Sequence, residues 1–207
     1  MFNKKILVSA ISIVTALSMM GAATFAYFSD TGTSSNNTFS TGTLDLKLSD
    51  AAVNGGTLET DQDSVTSSFG SGALVPGSCT GNQTLTLKNT GTVAADHAEV
   101  HLANSVTDTG SNATPDMDSY LRINLLTYDA VDVSGQIIDQ GGDGNSFIDL
   151  ADWAATSAAL DNLSLTNLNT GHPLVLDVCL DASAPNEIQA DSVLSTFTAD
   201  LNQNSSQ

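Results

Sequence analysis

The side chains best placed to do chemistry sit in His97-Ala98-Glu99-Val100-His101. Imidazole and carboxylate groups bind metals and move protons, so this pattern points to metal binding or hydrolysis. The spacing is that of a strand, on which residues two apart share a face. Adjacent members then stand about 6.7 Å apart at Cα, and the two histidines about 13 Å apart. Either adjacent pair could share an ion, whereas the two histidines alone could not easily do so. The common zinc-protease pattern, His-Glu-x-x-His on one helical face, is absent from the chain. Any half-exposed strand shows the same alternation, so the segment reads as a solvated strand face and supplies no catalytic residue. His172 stands before Pro173 in an expected loop with no visible partner.

A second constellation is Gly141-Gly142-Asp143-Gly144-Asn145-Ser146-Phe147-Ile148-Asp149-Leu150-Ala151-Asp152. Calcium takes six to eight oxygens, and an EF-hand-like loop supplies them at fixed positions around an apolar residue at position 8. With Ile148 there, Asp143, Asn145, Asp149 and Asp152 fall at positions 3, 5, 9 and 12. Gly141 and Ser146 stand where Asp and Gly are wanted, so the loop is degenerate. The alternative is a turn leading into a helix, with Asp149 and Asp152 at the positive end of its dipole. No cofactor is required on this reading, and a calcium ion would be structural. The third constellation is Cys79 with Cys179. In an exported chain an even count suggests a disulfide, and two buried free thiols are the alternative. A bridge closing so long a loop would stabilise the fold by up to about 4.7 kcal/mol. No serine or cysteine nucleophile lies in a recognisable motif, and no glycine-rich loop follows a strand as in a nucleotide site.

These residues need elements to hold them. Lys4 and Lys5 precede the apolar residues 6–20, and the small residues of Gly21-Ala22-Ala23-Thr24-Phe25-Ala26 follow. That is the plan of a removable export signal over residues 1–26, cut before Tyr27 by a signal peptidase. An uncleaved anchor is the alternative, since residues 6–28 are long enough to span a bilayer. Residues 27–41 are polar and glycine-rich apart from Tyr27, Phe28 and Phe39, and cannot fold alone. Alternation predicts strands over 43–48, 83–89, 97–103, 120–128, 174–180 and 193–201, with weaker ones at 65–69 and 136–139. Residues 149–160 carry a helical apolar stripe of Leu150, Trp153, Ala154, Ser157 and Leu160. Short strands, many turns and one helical insert predict an all-β antiparallel β-sandwich over residues 42–203, followed by a short tail at 204–207.

Charge narrows the partners. The chain has 23 acidic residues against five basic ones, a formal net charge of −18. Removing residues 1–26 takes away Lys4 and Lys5 and no acid, which moves the balance to −20. Only Lys47, Lys88 and Arg122 remain as bases. Such a surface repels nucleic acid and anionic lipid and favours solubility and cations, so no nucleic acid and, after cleavage, no membrane is expected as a partner.

Several segments resemble the TasA/camelysin family. They are Ala26-Tyr27-Phe28-Ser29-Asp30; Thr38-Phe39-Ser40-Thr41-Gly42-Thr43-Leu44-Asp45-Leu46; Leu74-Val75-Pro76-Gly77 leading to Leu85-Thr86-Leu87-Lys88-Asn89-Thr90-Gly91; and Gln189-Ala190-Asp191-Ser192-Val193 leading to Phe197-Thr198-Ala199-Asp200-Leu201-Asn202-Gln203. The likeness covers both ends and the first third, and is weak over residues 105–170. It implies a jelly-roll-like sandwich, secreted to the extracellular matrix or cell surface and assembled into filaments of itself. It also implies that the mature N-terminal segment, here residues 27–41 with Tyr27, Phe28 and Phe39, pairs with the sheet of the next subunit. The protease label that camelysin carries implies a metallo-endopeptidase as the alternative, and a monomeric surface module is a third. The pair of cysteines, the scarcity of lysine and the aspartate-rich insert depart from the family's better-known members.

Overall fold

The computed structural model describes residues 3–23, 41–50, 59–65, 72–109, 116–140, 145–155 and 160–204. Contacts divide the chain into two units, residues 1–40 and residues 41–207. In the first unit the described residues form α1, Lys4–Ala23. Its apolar side chains Ile6, Leu7, Val8, Ile11, Ile13, Val14 and Leu17 are exposed. Among the described residues no helix is long and apolar enough to cross a membrane.

The second unit is an all-β sandwich with one short helix. Its elements are β1 (Leu46–Asp50), β2 (Gln83–Asn89), β3 (His97–Thr107), β4 (Leu121–Tyr128), β5 (Val131–Asp132), α2 (Leu150–Ala155), β6 (Leu160–Leu163), β7 (Gly171–Leu180) and β8 (Ser192–Asn202). One antiparallel sheet has the order β1-β2-β7-β4-β5 and the other the order β6-β3-β8. The chain crosses between the layers after β2, after β3 and around β6 and β7, so neighbours in a sheet are mostly distant in sequence. Alternation drives this arrangement: Leu85 and Leu87 of β2, Leu174, Leu176, Val178 and Leu180 of β7, and Ala98, Val100 and Leu102 of β3 are all buried. Each such leucine or valine contributes roughly 1.5–3 kcal/mol by leaving water.

Turn chemistry follows the sequence closely. Ser78 N–H donates to the Val75 carbonyl at 2.9 Å across Pro76-Gly77, and Gly77 has φ +86°. Proline then glycine at the two central positions is what such a turn requires. At the start of the domain, Asn89 and Gly91 hold the incoming chain. The Asn89 side chain accepts from Gly91 N–H at 3.0 Å and Asp45 N–H at 3.4 Å, and donates to the Val93 carbonyl at 3.0 Å. A Cβ on Gly91 would lie 2.2 Å from the Thr43 carbonyl oxygen, so only glycine fits the close approach of these two segments.

Three expectations are corrected. The helix predicted over 149–160 is α2, which is shorter, and Leu160 opens β6, 1 % exposed in the core. Burial of Leu160 and Leu163 in the sandwich outweighs the helical propensity of the alanines before them. The strand predicted at 136–139 is absent: Ser134–Gln136 forms a 3-10 turn, and the short β5 lies just before it. His172 is in β7 and not in a loop; its Nδ1 lies 2.6 Å from Asp129 Oδ2 and its ring stacks on Tyr128. Its neighbour Pro173, without an N–H, lies near the start of β7 and beyond the last β4 register pair, Tyr128–Leu174, and its carbonyl accepts from Asp129 N–H at 3.0 Å. The strand predicted at 65–69 falls almost wholly outside the described residues.

Candidate functional site

Two features of the sandwich are candidates for function, a sheet edge and a side-chain cluster. The edge is the outer side of β8, an 11-residue strand paired only with β3 among the described residues. The other edges are short or covered. β5 has two residues and β6 four, while β1 is flanked by residues 59–62 through Leu48–Gln62 and Asp50–Glu59 backbone hydrogen bonds of 2.8 to 2.9 Å. Side chains of β8 facing the core stay half-buried: Val193, Phe197, Ala199 and Leu201 pack against the core without being enclosed by it. On the opposite face Leu194 is 70 % exposed. A long edge with one charge, Asp200, and no proline lacks the usual devices that stop an edge from pairing with another chain.

The cluster gathers on the outer face of the smaller sheet. His97 and Glu99 come from β3 and Asp161 from β6. His97 Nε2 lies 3.3 Å from Glu99 Oε1 and 3.4 Å from Asp161 Oδ1, and the candidate ligand atoms of all three lie within 4.8 Å of one another. A register shift between Ala98 and Val100, where Ala98 faces Leu163 and Val100 faces Leu160, places Asp161 and Asn162 together opposite Glu99. Asn162 adopts φ +55°, a conformation asparagine tolerates better than most residues. The bulge thereby re-aims Asp161 at the histidine, a common use of bulges beside functional sites. Asp96 Oδ2 sits 3.2 Å from His97 Nδ1, and Asn202 Nδ2 lies 2.9 Å from Glu99 Oε1. Burial pushes the His97 pKa down, but hydrogen bonds to Asp96 and Glu99 and the charge of Asp161 outweigh it, so the group is held above its ordinary value. His101 stands apart from the trio, with Nε2 3.5 Å from the other oxygen of Glu99.

Sequence spacing groups His97, Glu99 and His101 along one strand. The fold instead brings His97 and Glu99 to Asp161, which sequence reasoning missed. No local signal marks Asp161, because its strand is four residues long and lies in a region that reads as helix and loop. The other predicted residues divide as follows. Cys79 is joined in a disulfide to Cys179 of β7, across an antiparallel bridge between the two. Asn145, Asp149 and Asp152 come together at the start of α2. Asp149 N–H donates to Asp152 Oδ2 at 3.2 Å and Asp152 N–H to Asp149 Oδ1 at 2.9 Å, a reciprocal cap. Asn145 donates to Asp149 Oδ2 at 2.7 Å. Tyr27, Phe28, Phe39 and Asp143 lie outside the described residues.

The family described as camelysin metallo-endopeptidase matches the chain over residues 1–140. No curated protein matches it significantly. The family name implies a metal, and the donor set of His97, Glu99 and Asp161 fits one: a single imidazole with two carboxylates is a combination that zinc accepts. A zinc ion there would polarise a carbonyl or acidify a bound water. With 140 of its 207 residues matched, the chain belongs to the camelysin family, whose members are extracellular or at the cell surface.

Proposed function

We propose that this protein is a secreted structural subunit that polymerises head-to-tail, each N-terminal segment adding a strand to the sheet of the next copy. The observation that carries the reading is the edge of β8, which is unpaired among the described residues. An added strand would satisfy its outward N–H and C=O groups and cover Val193, Phe197, Ala199 and Leu201. The donor would be residues 27–41, freed at Tyr27 once a signal peptidase removes residues 1–26. Tyr27, Phe28 and Phe39 supply apolar anchors, since such aromatics bury about 150–250 Å² each. Head-to-tail donation does not close on itself, so filaments result. The root of this arm is fixed: Thr43 N–H donates to Thr92 Oγ1 at 2.9 Å, and the Thr43 carbonyl accepts from Thr92 N–H at 2.8 Å. No cofactor is needed; a calcium ion at Asp143, Asn145, Asp149 and Asp152 would be structural. The partners are further copies of the chain.

The family name and the His97 cluster favour a second reading, a secreted metallo-endopeptidase. One set of measurements separates the two. Electron microscopy of the purified protein beginning at Tyr27 should show filaments, and deleting residues 27–41 should leave single particles. Filaments formed by the shortened chain would remove strand donation. Casein should remain intact throughout; cleavage that disappears in Glu99→Gln would replace the structural reading with the enzymatic one.

A further inference from the structure

The geometry points to a single zinc site formed by His97, Glu99 and Asp161, which ties strand β6 to strand β3. It goes beyond the filament reading and does not depend on it. The first support is distance. Ligands held at 2.0–2.2 Å around a tetrahedral zinc stand roughly 3.3–3.6 Å from one another, the edge that those bond lengths impose. His97 Nε2 is 3.3 Å from Glu99 Oε1 and 3.4 Å from Asp161 Oδ1. Charge-assisted hydrogen bonds would draw the same atoms to about 2.7–2.9 Å. Asn202 Nδ2 also lies 3.1 Å from His97 Nε2, so an ion at this spacing would replace that contact and the long Glu99 hydrogen bond.

The second support is the shell around the trio. The His97 side chain is 4 % exposed, and its Nδ1 meets the Asp96 carboxylate. A carboxylate on the far nitrogen of an imidazole fixes the ring and raises its basicity toward a metal. Asn202, across from His97 in β8, steadies Glu99 Oε1. The third support is charge. Asp96, Glu99 and Asp161 converge on one histidine, while the described lysine pairs lie elsewhere: Lys47 with Asp45 and Asp63, and Lys88 with Asp61. Arg122 lies over the Phe147 ring. A dication supplies the missing positive charge. A buried imidazole in the set selects zinc over calcium and magnesium, which prefer oxygen ligands alone.

The consequence is mechanical. β6 is four residues long and meets β3 at only two register pairs on either side of its bulge. A metal held by Asp161 from β6 and by His97 and Glu99 from β3 would lock that bulge in place.

The test is calorimetric titration of the chelator-treated full chain with zinc chloride. One zinc per chain is expected. Asp161→Asn and Glu99→Gln should each weaken binding at least 10-fold, and Asp96→Asn about 10-fold. Asp132→Asn, an exposed aspartate at β5, should change nothing. Millimolar calcium should not displace the zinc. Amide hydrogen exchange over residues 160–163 should slow on zinc addition in the parent chain and not in Asp161→Asn. Asp161 is half-exposed, so its replacement leaves the core intact. Several weak equivalents of zinc unchanged in Asp161→Asn would mean diffuse binding to the acidic surface and overturn the site. Tight binding without slower exchange in β6 would overturn the tie between the strands.

Discussion

Asn89 shows how one side chain can set the path of a domain. It is fully buried, and all of its polar atoms are spent on backbone: Gly91 and Asp45 N–H on one side, the Val93 carbonyl on the other. Asn89→Ala would leave those groups without partners in the interior, where each unsatisfied group costs about 1–3 kcal/mol. A loss of roughly 2–4 kcal/mol is expected in urea denaturation, and a change within 0.5 kcal/mol would show that water replaces the amide. The segment Asn89-Thr90-Gly91 is legible in the sequence as the end of a strand, but not as an anchor for residues 43–45, which lie more than forty positions away. The same limit applies to the His97 cluster. The period of a strand places His97, Glu99 and His101 on one face. The partner that completes the donor set, Asp161, is supplied by another strand.

At the level of elements, β8 matters most. Its alternation is visible in the sequence and its bounds are nearly as expected, yet nothing in those residues says that one side is unpaired among the described residues. That depends on sheet order, which places β8 at the end of β6-β3-β8. Consecutive residues of a strand turn their N–H groups to opposite sides, one toward β3 and one toward the open edge. Ser195→Pro and Thr196→Pro therefore have different effects. One removes a hydrogen bond to β3 and lowers the melting temperature; the other removes only an outward donor and, on the proposed strand-donation reading, prevents filaments while leaving the melt nearly unchanged. If both variants assemble like the parent, β8 is not the acceptor edge. α2 illustrates the opposite failure. Its capping carboxylates, Asp149 and Asp152, mark its beginning correctly, but alanine-rich sequence overstates its length, because propensity is a weak signal beside the burial of Leu160.

For the whole molecule, the Cys79–Cys179 disulfide joins residues 100 apart in sequence. Reduction, or Cys79→Ala with Cys179→Ala, should lower stability by up to about 4.7 kcal/mol, since the closed loop limits the unfolded chain. The melting temperature should then fall by roughly 10 °C for a chain of this size. An unchanged melt would mean that the unfolded chain is already restricted without the bridge. The sequence by itself determined the all-β class, most strand positions, the Pro76-Gly77 turn and the strongly acidic surface. Each of these follows from residue type and short-range period, which local sterics and burial read directly. It also made a disulfide the favoured state of two cysteines. Only the tertiary structure decided that β8 ends its sheet among the described strands, which residues join His97 and where the chain is anchored at Asn89. Those relations connect positions tens of residues apart, and the order of strands in the two sheets, set by packing of the shared core, fixes them.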